Sequence, residues 1–211
     1  MYFRNRFDAA QQLAPLLEKY RNEKGVILAV PRGGVPIGHY LAKYFGFPLE
    51  LLLTKKLGHP LQPEFAIGAV TLEDSFVDEG FDLPPDFIEK EIARIRKELQ
   101  RRYKSFMGDR QPIDLKGKTV IVVDDGIATG RTIMAAIKLL RKKQPKRLVV
   151  AVPVAPPSAA SEFEGLVDDF ICVYTPEDFF GVGGFYEDFE QVEDSEVMAL
   201  LRELNGRKMA A

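Results

Sequence analysis

Hydrophobic residues along the chain fall into short continuous runs that alternate with longer amphipathic segments. Runs of branched aliphatic residues without polar alternation predict strands that are buried on both faces, as in a parallel sheet. The runs of this kind are residues 26–30, 49–54, 119–123, 147–154 and 169–174. Because amphipathic segments separate them, the pattern predicts strand–helix–strand units around one parallel sheet.

Six segments space their apolar residues three or four apart, which predicts helices with one buried face. These segments are residues 8–23, 35–45, 86–106, 130–143, 158–166 and 194–204. Glycine and proline mark several of their limits. Gly25 and Gly46 end the first two helices, and Pro84 and Pro85 open the third.

The chain between the second strand and the long third helix departs from this alternation. Residues 55–63 (KKLGHPLQP) combine charge, glycine and proline, which predicts a loop. The segments FAIGAV (65–70) and SFVDE (75–79) predict a short antiparallel pair of strands. We therefore expect an antiparallel hairpin at the edge of the main sheet.

The length of 211 residues suits a single domain over 1–211. The predicted architecture is a three-layer α/β fold, with a parallel sheet and helices on both of its faces. Residues 176–211 begin with an aromatic and glycine-rich stretch and end in the last predicted helix. We expect them to form a small hood over the sheet edge, within the same domain.

Composition and charge limit the binding partners and the cellular location that we expect for the protein. The net charge is −2, which argues against nucleic acid as a partner. No apolar run approaches the roughly 18 residues of a membrane span. The start of the chain, MYFRNRFDAAQQ, lacks the apolar core of a signal peptide, and the single cysteine, Cys172, excludes an intramolecular disulfide. We expect a cytoplasmic protein that binds neither nucleic acid nor membrane.

The most informative stretch is VIVVDDGIATGRT, residues 120–132. Asp124 and Asp125 stand at the carboxyl end of a predicted central strand, where open parallel sheets bind ligands. The following loop opens a helix, and amides at a helix N-terminus bind phosphate. Carboxylates repel phosphate, so they must face hydroxyl groups or a Mg²⁺ shell. A phosphorylated sugar suits both the carboxylates and the loop, through its hydroxyl groups and its phosphate. The alternative is a plain turn with two capping aspartates.

This stretch resembles the phosphoribosyl-pyrophosphate (PRPP) motif of type I phosphoribosyltransferases. The resemblance implies that Asp124 and Asp125 hold the ribose hydroxyls and help to position Mg²⁺. It also implies a 5′-phosphate site in the loop. The loop residues are Gly126, Ile127, Ala128, Thr129, Gly130, Arg131 and Thr132.

Two further stretches resemble parts of the same family. AVPRGGVPIG (29–38) is similar to its pyrophosphate loop, in which Arg32 offers a fork of donors and Gly33 and Gly34 expose amides. LTKKLGHP (53–60) is similar to the start of its mobile catalytic loop. There, either Lys55 or Lys56 would meet the leaving pyrophosphate. A simple turn and a pair of solvated lysines are the alternatives.

PEDFFGVGGFYEDF (176–189) resembles the hood that holds the nucleobase in purine enzymes of the family. By this resemblance, Phe180 would stack on the base, Val182 would supply backbone contacts and Asp188 would approach the metal. A hydrophobic plug made of the same aromatic residues is the alternative.

The resemblance implies Mg²⁺-dependent transfer of a phosphoribosyl group from PRPP to a nitrogen nucleophile such as a nucleobase, in a homodimer. Two departures disfavour a 6-oxopurine. Ala128 replaces an aspartate of the hypoxanthine–guanine enzymes. Pro156 falls near the position at which those enzymes have the lysine that contacts the purine oxygen. A PRPP- or nucleotide-sensing regulator and a PRPP hydrolase are the alternatives on the same fold.

Overall fold

The computed structural model describes residues 3–78, 80, 81 and 83–208. A five-stranded parallel sheet forms its centre, with the strands β1 (Gly25–Ala29), β2 (Leu49–Leu51), β6 (Thr119–Val123), β7 (Arg147–Val154) and β8 (Asp169–Tyr174). Their order across the sheet is β2-β1-β6-β7-β8. A second, antiparallel sheet contains β3 (Thr54–His59), β4 (Gln62–Thr71) and β5 (Ser75–Val77).

In the described part of the chain, six α-helices accompany these strands: α1 (Arg6–Leu13), α2 (Gly34–Phe45), α3 (Pro85–Met107), α4 (Arg131–Lys142), α5 (Ala159–Phe163) and α6 (Asp194–Lys208). Alternate residues of the central strands enter two different cores. Ile121 and Val123 pack with α1, α2, α3 and α6, whereas Val120 and Val122 pack with α4 and α5. The predicted three-layer architecture is therefore confirmed, because the inner strands β1 and β6 are buried on both faces.

The antiparallel pairing predicted for 65–70 and 75–79 is confirmed for the described residues, with Gly68 opposite Val77. Glu79, at the end of the predicted pair, lies outside the described residues. The prediction of a loop over 55–63 is wrong, because Thr54–His59 pairs with Gln62–Thr71 as a hairpin. Only Leu57 of the first strand is buried, so the strand has little of the apolar alternation that marks a strand in sequence.

The first predicted helix also differs from the structure. α1 ends at Leu13 and a 3₁₀ helix follows over Ala14–Tyr20. Pro15 lies at the start of that segment, where a proline removes a backbone donor and clashes with the preceding turn of an α-helix. α5 is shorter than predicted and the chain reverses at Gly165, which has a positive φ of 73°.

Two long-range arrangements place the outer elements. α3 packs against β3 and β4, so the hairpin rests on this helix. α6 packs against α2 and α3, on one face of the central sheet. Within the described part of the chain, no helix is long and apolar enough to cross a membrane.

Candidate functional site

Asp124 and Asp125 directly follow β6, which lies at the centre of the parallel sheet. The loop after β1 lies beside them, and the amide of Val30 donates a hydrogen bond of 2.9 Å to the carbonyl of Val123. A side chain at Gly33 would place its Cβ 2.0 Å from Asp125 Oδ2, and one at Gly34 would meet the carbonyl of Val123 at 2.6 Å. The two glycines of the R-G-G sequence therefore allow the two loops to touch.

The acidic pair is short of compensating positive charge. Burial raises the pKa of Asp124 well above its ordinary value, and the neighbouring carboxylate of Asp125 raises it further. Burial also raises the pKa of Asp125, although the guanidinium of Arg6 opposes this shift. Asp124 Oδ1 accepts a hydrogen bond of 2.9 Å from the amide of Asp125. The pair is thus held as a site that attracts positive charge or hydrogen-bond donors.

Arg6, the first residue of α1, is a site residue that sequence reasoning missed. Its Nε and Nη2 lie 2.9 Å and 2.8 Å from Asp125 Oδ2. Its Nη1 donates to the carbonyl of Glu190 at 2.8 Å, and its guanidinium lies 4.0 Å from the ring centroid of Phe189. The two partners are 119 positions apart in sequence, so no local motif announces the pair.

Arg32, in the loop after β1, lines a cavity that Arg6 and Asp125 also line. The peptide bond between Pro31 and Arg32 is cis. Arg32 Nη1 lies 3.4 Å from Asp194 Oδ1 and 3.7 Å from Glu193 Oε2, at the start of α6. The cavity has a volume of about 480 Å³. It is lined by Arg6, Arg32, Gly33, Asp125, Val182, Phe189, Gln191 and Val192.

The predicted phosphate loop, 126–132, leads from the acidic pair into α4. Ile127 anchors the loop, because its side chain is buried and its amide donates to the carbonyl of Val154 at 2.9 Å. Gly130 has a positive φ of 62° and immediately precedes the helix. α4 begins at Arg131, and the first amides of a helix have no acceptor within the helix. Ala128, Thr129, Arg131 and Thr132 are exposed, so the loop can receive an anion.

The two lysines lie on β3 of the hairpin and outside the central sheet. Lys55 Nζ lies 2.8 Å from both carboxylate oxygens of Glu98 on α3. Lys56 is exposed. Neither lysine lines the cavity beside the acidic pair. The structure therefore does not bring the lysines together with Asp124 and Asp125.

The predicted hood residues separate into different environments. Val182 covers Gly126, where an added Cβ would lie 2.6 Å from a Val182 methyl group. Phe180 is 89% exposed and lines another cavity, of about 520 Å³. Asp188 is exposed, and its Oδ1 accepts a hydrogen bond of 3.2 Å from the amide of Glu190.

The carboxylates predicted to approach a metal ion lie in different places. The residues that line the cavity around Asp125 do not include Asp188. Over the described residues, no group of three or more histidine, cysteine, aspartate or glutamate side chains is arranged to hold a metal ion. Asp124 and Asp125 are therefore the carboxylates that could take part in a metal shell, directly or through water.

Comparisons with known proteins identify the family and the fold. The family model described as "Phosphoribosyl transferase domain" matches residues 5–190. A Mycobacterium tuberculosis (strain ATCC 25618 / H37Rv) protein named "Putative phosphoribosyl transferase Rv0571c" is 40% identical over 205 residues. That match covers 94% of this chain and 46% of the relative, so the chain spans about half the relative's length.

A solved structure and a second curated protein extend the comparison. The crystal structure of TT1426 from Thermus thermophilus matches with a TM-score of 0.86 at 36% identity. It covers 97% of this chain and 99% of that chain, so the two share nearly the whole fold. The "Bifunctional protein PyrR" of Chloroflexus aurantiacus is 29% identical over 137 residues, covering 62% of this chain and 71% of that protein.

Proposed function

The chain belongs to the phosphoribosyl transferase domain family, and from that premise we propose that it transfers the 5-phosphoribosyl group of PRPP to a nitrogen nucleophile. The observation that carries the proposal is the contact between two loops at the centre of the sheet. Gly33 of the R-G-G loop leaves no room for a side chain beside Asp125, and Arg32 faces the same cavity. A carboxylate acceptor, Asp125, and a cationic donor, Arg32, therefore line one ligand-sized cavity, and the loop that leads into α4 directly follows Asp125 in the chain.

Each group suits one part of PRPP. Asp124 and Asp125 would accept hydrogen bonds from the ribose hydroxyls, because ionised carboxylates only accept. The exposed amides and hydroxyls at the start of α4 would hold the 5′-phosphate. Arg32 would bind the pyrophosphate, since a guanidinium pairs with two phosphate oxygens at once. Together these contacts would hold C1 of the sugar in place as the bond to pyrophosphate breaks.

Mg²⁺ fits the acidic pair. The pKa of Asp124 is raised by burial and by the adjacent Asp125, and the positive charge of Arg6, which binds Asp125, only partly opposes this shift. Asp124 and Asp125 would hold the ion, directly or through water. When bound, Mg²⁺ supplies positive charge that favours departure of pyrophosphate. The protein's own contribution is to orient the two carboxylates and to exclude water around the sugar.

Lys55 or Lys56 would stabilise the pyrophosphate only after the hairpin moves. Lys55 is paired with Glu98, and neither lysine lines the cavity. Closure of the hairpin over the cavity would deliver a lysine and would also remove water from the cationic transition state. We propose this closure as part of the reaction, with a homodimer as the assembly.

The acceptor would lie beside the hood. The cavity of about 520 Å³ places the exposed ring of Phe180 near Glu177 and Asp178. An aromatic ring can stack on a base, and carboxylates accept hydrogen bonds from ring N–H or amino groups. Together with Pro156 in place of a lysine, these groups favour a base that carries an amino group where a 6-oxopurine carries its oxygen.

A regulator that binds PRPP without transferring it is the second candidate. Two of the groups assigned to the reaction are already paired within the protein. Asp125 is bound by Arg6, and Lys55 is bound by Glu98. Such internal pairs are expected of a module that switches between two arrangements when a ligand arrives.

Pyrophosphate release distinguishes these functions. Purified protein would be incubated with PRPP and Mg²⁺, with adenine, hypoxanthine, guanine, uracil or orotate, and without any base. Release that needs one base would support transfer and would identify the acceptor. Release without a base would identify a hydrolase. Saturable PRPP binding without release by any of these mixtures would support the regulator and would contradict transfer to these bases.

A further inference from the structure

The N-terminal segment and the hood are joined along their backbones. The amide of Phe3 donates to the carbonyl of Phe185 at 2.8 Å, and the amide of Glu187 donates to the carbonyl of Phe3 at 2.8 Å. The amide of Asp188 donates to the carbonyl of Arg4 at 3.0 Å. Residues 3–6 and 185–190 therefore form one unit at the carboxyl edge of the sheet.

Two contacts attach this unit to Asp125. The Arg6 guanidinium binds Asp125 Oδ2 through two nitrogens, and the Tyr186 hydroxyl donates to the Asp125 carbonyl at 2.6 Å. Both side chains of the ion pair are largely buried, with 12% of Arg6 and 15% of Asp125 exposed. Because solvent screens this pair little and a third contact to Glu190 holds the guanidinium, the geometry of the pair is well defined.

We propose that Arg6 is a positioning residue that couples the order of the hood to ligand binding at Asp125. The proposal rests on the proposed function, because it assigns the sugar to this carboxylate. Arg6 occupies Oδ2 and so leaves Oδ1 as the oxygen that can accept a sugar hydroxyl. A ligand that binds Oδ1 stabilises the carboxylate in the orientation that Arg6 holds. It thereby stabilises the hood through Phe189 and Glu190.

The coupling is reciprocal, as any linkage between two binding events must be. Loss of Arg6 would free the Asp125 side chain to rotate and would loosen the hood. Ligand affinity would then fall, whereas the chemical step in the fully bound complex would change much less. The expected signature is a higher KM for PRPP with a nearly constant kcat.

The chain offers a matched control on the same segment. Arg4 also pairs with an aspartate, Asp8, at 2.9 Å, but its side chain is 71% exposed and the pair lies outside the cavity. Arg4→Gln removes a charge from the same segment and keeps the backbone bonds to the hood. Any effect seen in Arg6→Gln and absent from Arg4→Gln therefore belongs to the contacts that the Arg6 guanidinium makes with Asp125, Phe189 and Glu190.

The experiment compares wild type, Arg6→Gln, Arg6→Lys and Arg4→Gln. Steady-state kinetics with PRPP and Mg²⁺ would be combined with amide hydrogen exchange of residues 185–192, with and without PRPP. We expect Arg6→Gln to raise KM for PRPP by about 10- to 100-fold, the range for a lost charged hydrogen bond, with kcat within about threefold. PRPP would slow exchange of the hood in wild type and Arg4→Gln but not in Arg6→Gln. Arg6→Lys would have a KM for PRPP between those of wild type and Arg6→Gln.

Two results would overturn the coupling. One is that Arg6→Gln matches Arg4→Gln in KM and in hood exchange. The other is that amide exchange rises throughout the chain and that kcat falls while KM rises. That result would mark a general structural role for Arg6. If Arg6→Gln folds poorly, Arg6→Ala with added methylguanidine replaces it, and lack of recovery of PRPP affinity would count against the proposal.

Failure of the proposed function would appear separately. In that case wild type itself would neither bind nor use PRPP. Exchange without ligand would still decide the link between Arg6 and the hood. Faster exchange confined to residues 185–192 in Arg6→Gln would support it, and exchange equal to that of Arg4→Gln would contradict it.

Discussion

The acidic pair and the lysine pair are held in different ways. Asp124 and Asp125 follow the central strand β6, which is buried on both faces, and a neighbouring loop packs directly against them. Lys55 and Lys56 lie on a hairpin outside that sheet, and Lys55 is paired with Glu98 of α3. Groups at the centre of the sheet are thus oriented before a ligand arrives. Groups on the hairpin must exchange one partner for another.

The largest expected effect comes from the acidic pair itself. Asp124→Asn or Asp125→Asn removes a charged acceptor from the proposed sugar site, and we expect turnover of PRPP to fall by about 100-fold or more. The measurement is the rate of pyrophosphate release, with circular dichroism to confirm the fold. Asp109→Asn is the control, because Asp109 is exposed at the end of α3 and pairs with Lys104. Normal turnover in both variants would refute the assigned roles.

The contact between the two central loops can be broken by one methyl group. In Gly33→Ala the new Cβ would lie 2.0 Å from Asp125 Oδ2, although φ of −60° at Gly33 suits alanine. The carboxylate must therefore shift, and we expect kcat/KM to fall by about 10- to 100-fold. Gly80→Ala is the matched control, since among the described residues its Cβ would meet only Asp78 Oδ1, at 3.6 Å. Equal kcat/KM in the two variants would contradict this packing.

The role of the hairpin is tested by removing the ion-pair partner of Lys55. Glu98→Gln removes the charged partner of Lys55, so movement of Lys55 toward pyrophosphate no longer breaks an ion pair. Because a half-exposed pair is worth about 0–1 kcal/mol, we expect kcat/KM to rise by no more than about fivefold. Lys55→Ala should lower it. A decrease in Glu98→Gln would mean that Glu98 holds Lys55 where the reaction needs it.

A smaller effect, on stability, is expected where the central sheet packs against α3. Glu50 on β2 is buried and accepts hydrogen bonds from the amides of Leu51 and Ile113 and from the Tyr103 hydroxyl on α3. An amide nitrogen in Glu50→Gln would oppose these donors. We expect the free energy of unfolding to fall by about 1–3 kcal/mol. Denaturant titration measures it, and Tyr103→Phe, which removes one donor, should cost less.

The smallest effect concerns the opposite edge of the sheet. Burial raises the pKa of Cys172 on β8 to about 11. Since the thiolate is the reactive form, iodoacetamide should label the native protein slowly at pH 8 and faster as the pH rises toward 11. Labelling in denaturant should be rapid at pH 8. Rapid labelling of the native protein at pH 8 would contradict the raised pKa of this half-buried thiol.

The elements that sequence reasoning located best are those of the central sheet. Residues 119–123, 147–154 and 169–174 were predicted as strands and have these limits in the structure. Continuous apolar character marks a strand buried on both faces, and it is a local property. The hairpin strand Thr54–His59 was missed because only Leu57 of its residues is buried. Its structure depends on pairing with β4 and on support from α3.

The sequence by itself determined the strands of the parallel sheet and the acidic and glycine-rich loops at their ends, because burial and turn chemistry act on neighbouring residues. Only the tertiary structure decided which distant charges meet. Arg6 reaches Asp125 because the N-terminal segment pairs with the hood, and Lys55 reaches Glu98 because α3 lies under the hairpin. Charged side chains have many alternative partners in sequence. Strand order and helix packing select one, and that selection has no local signal.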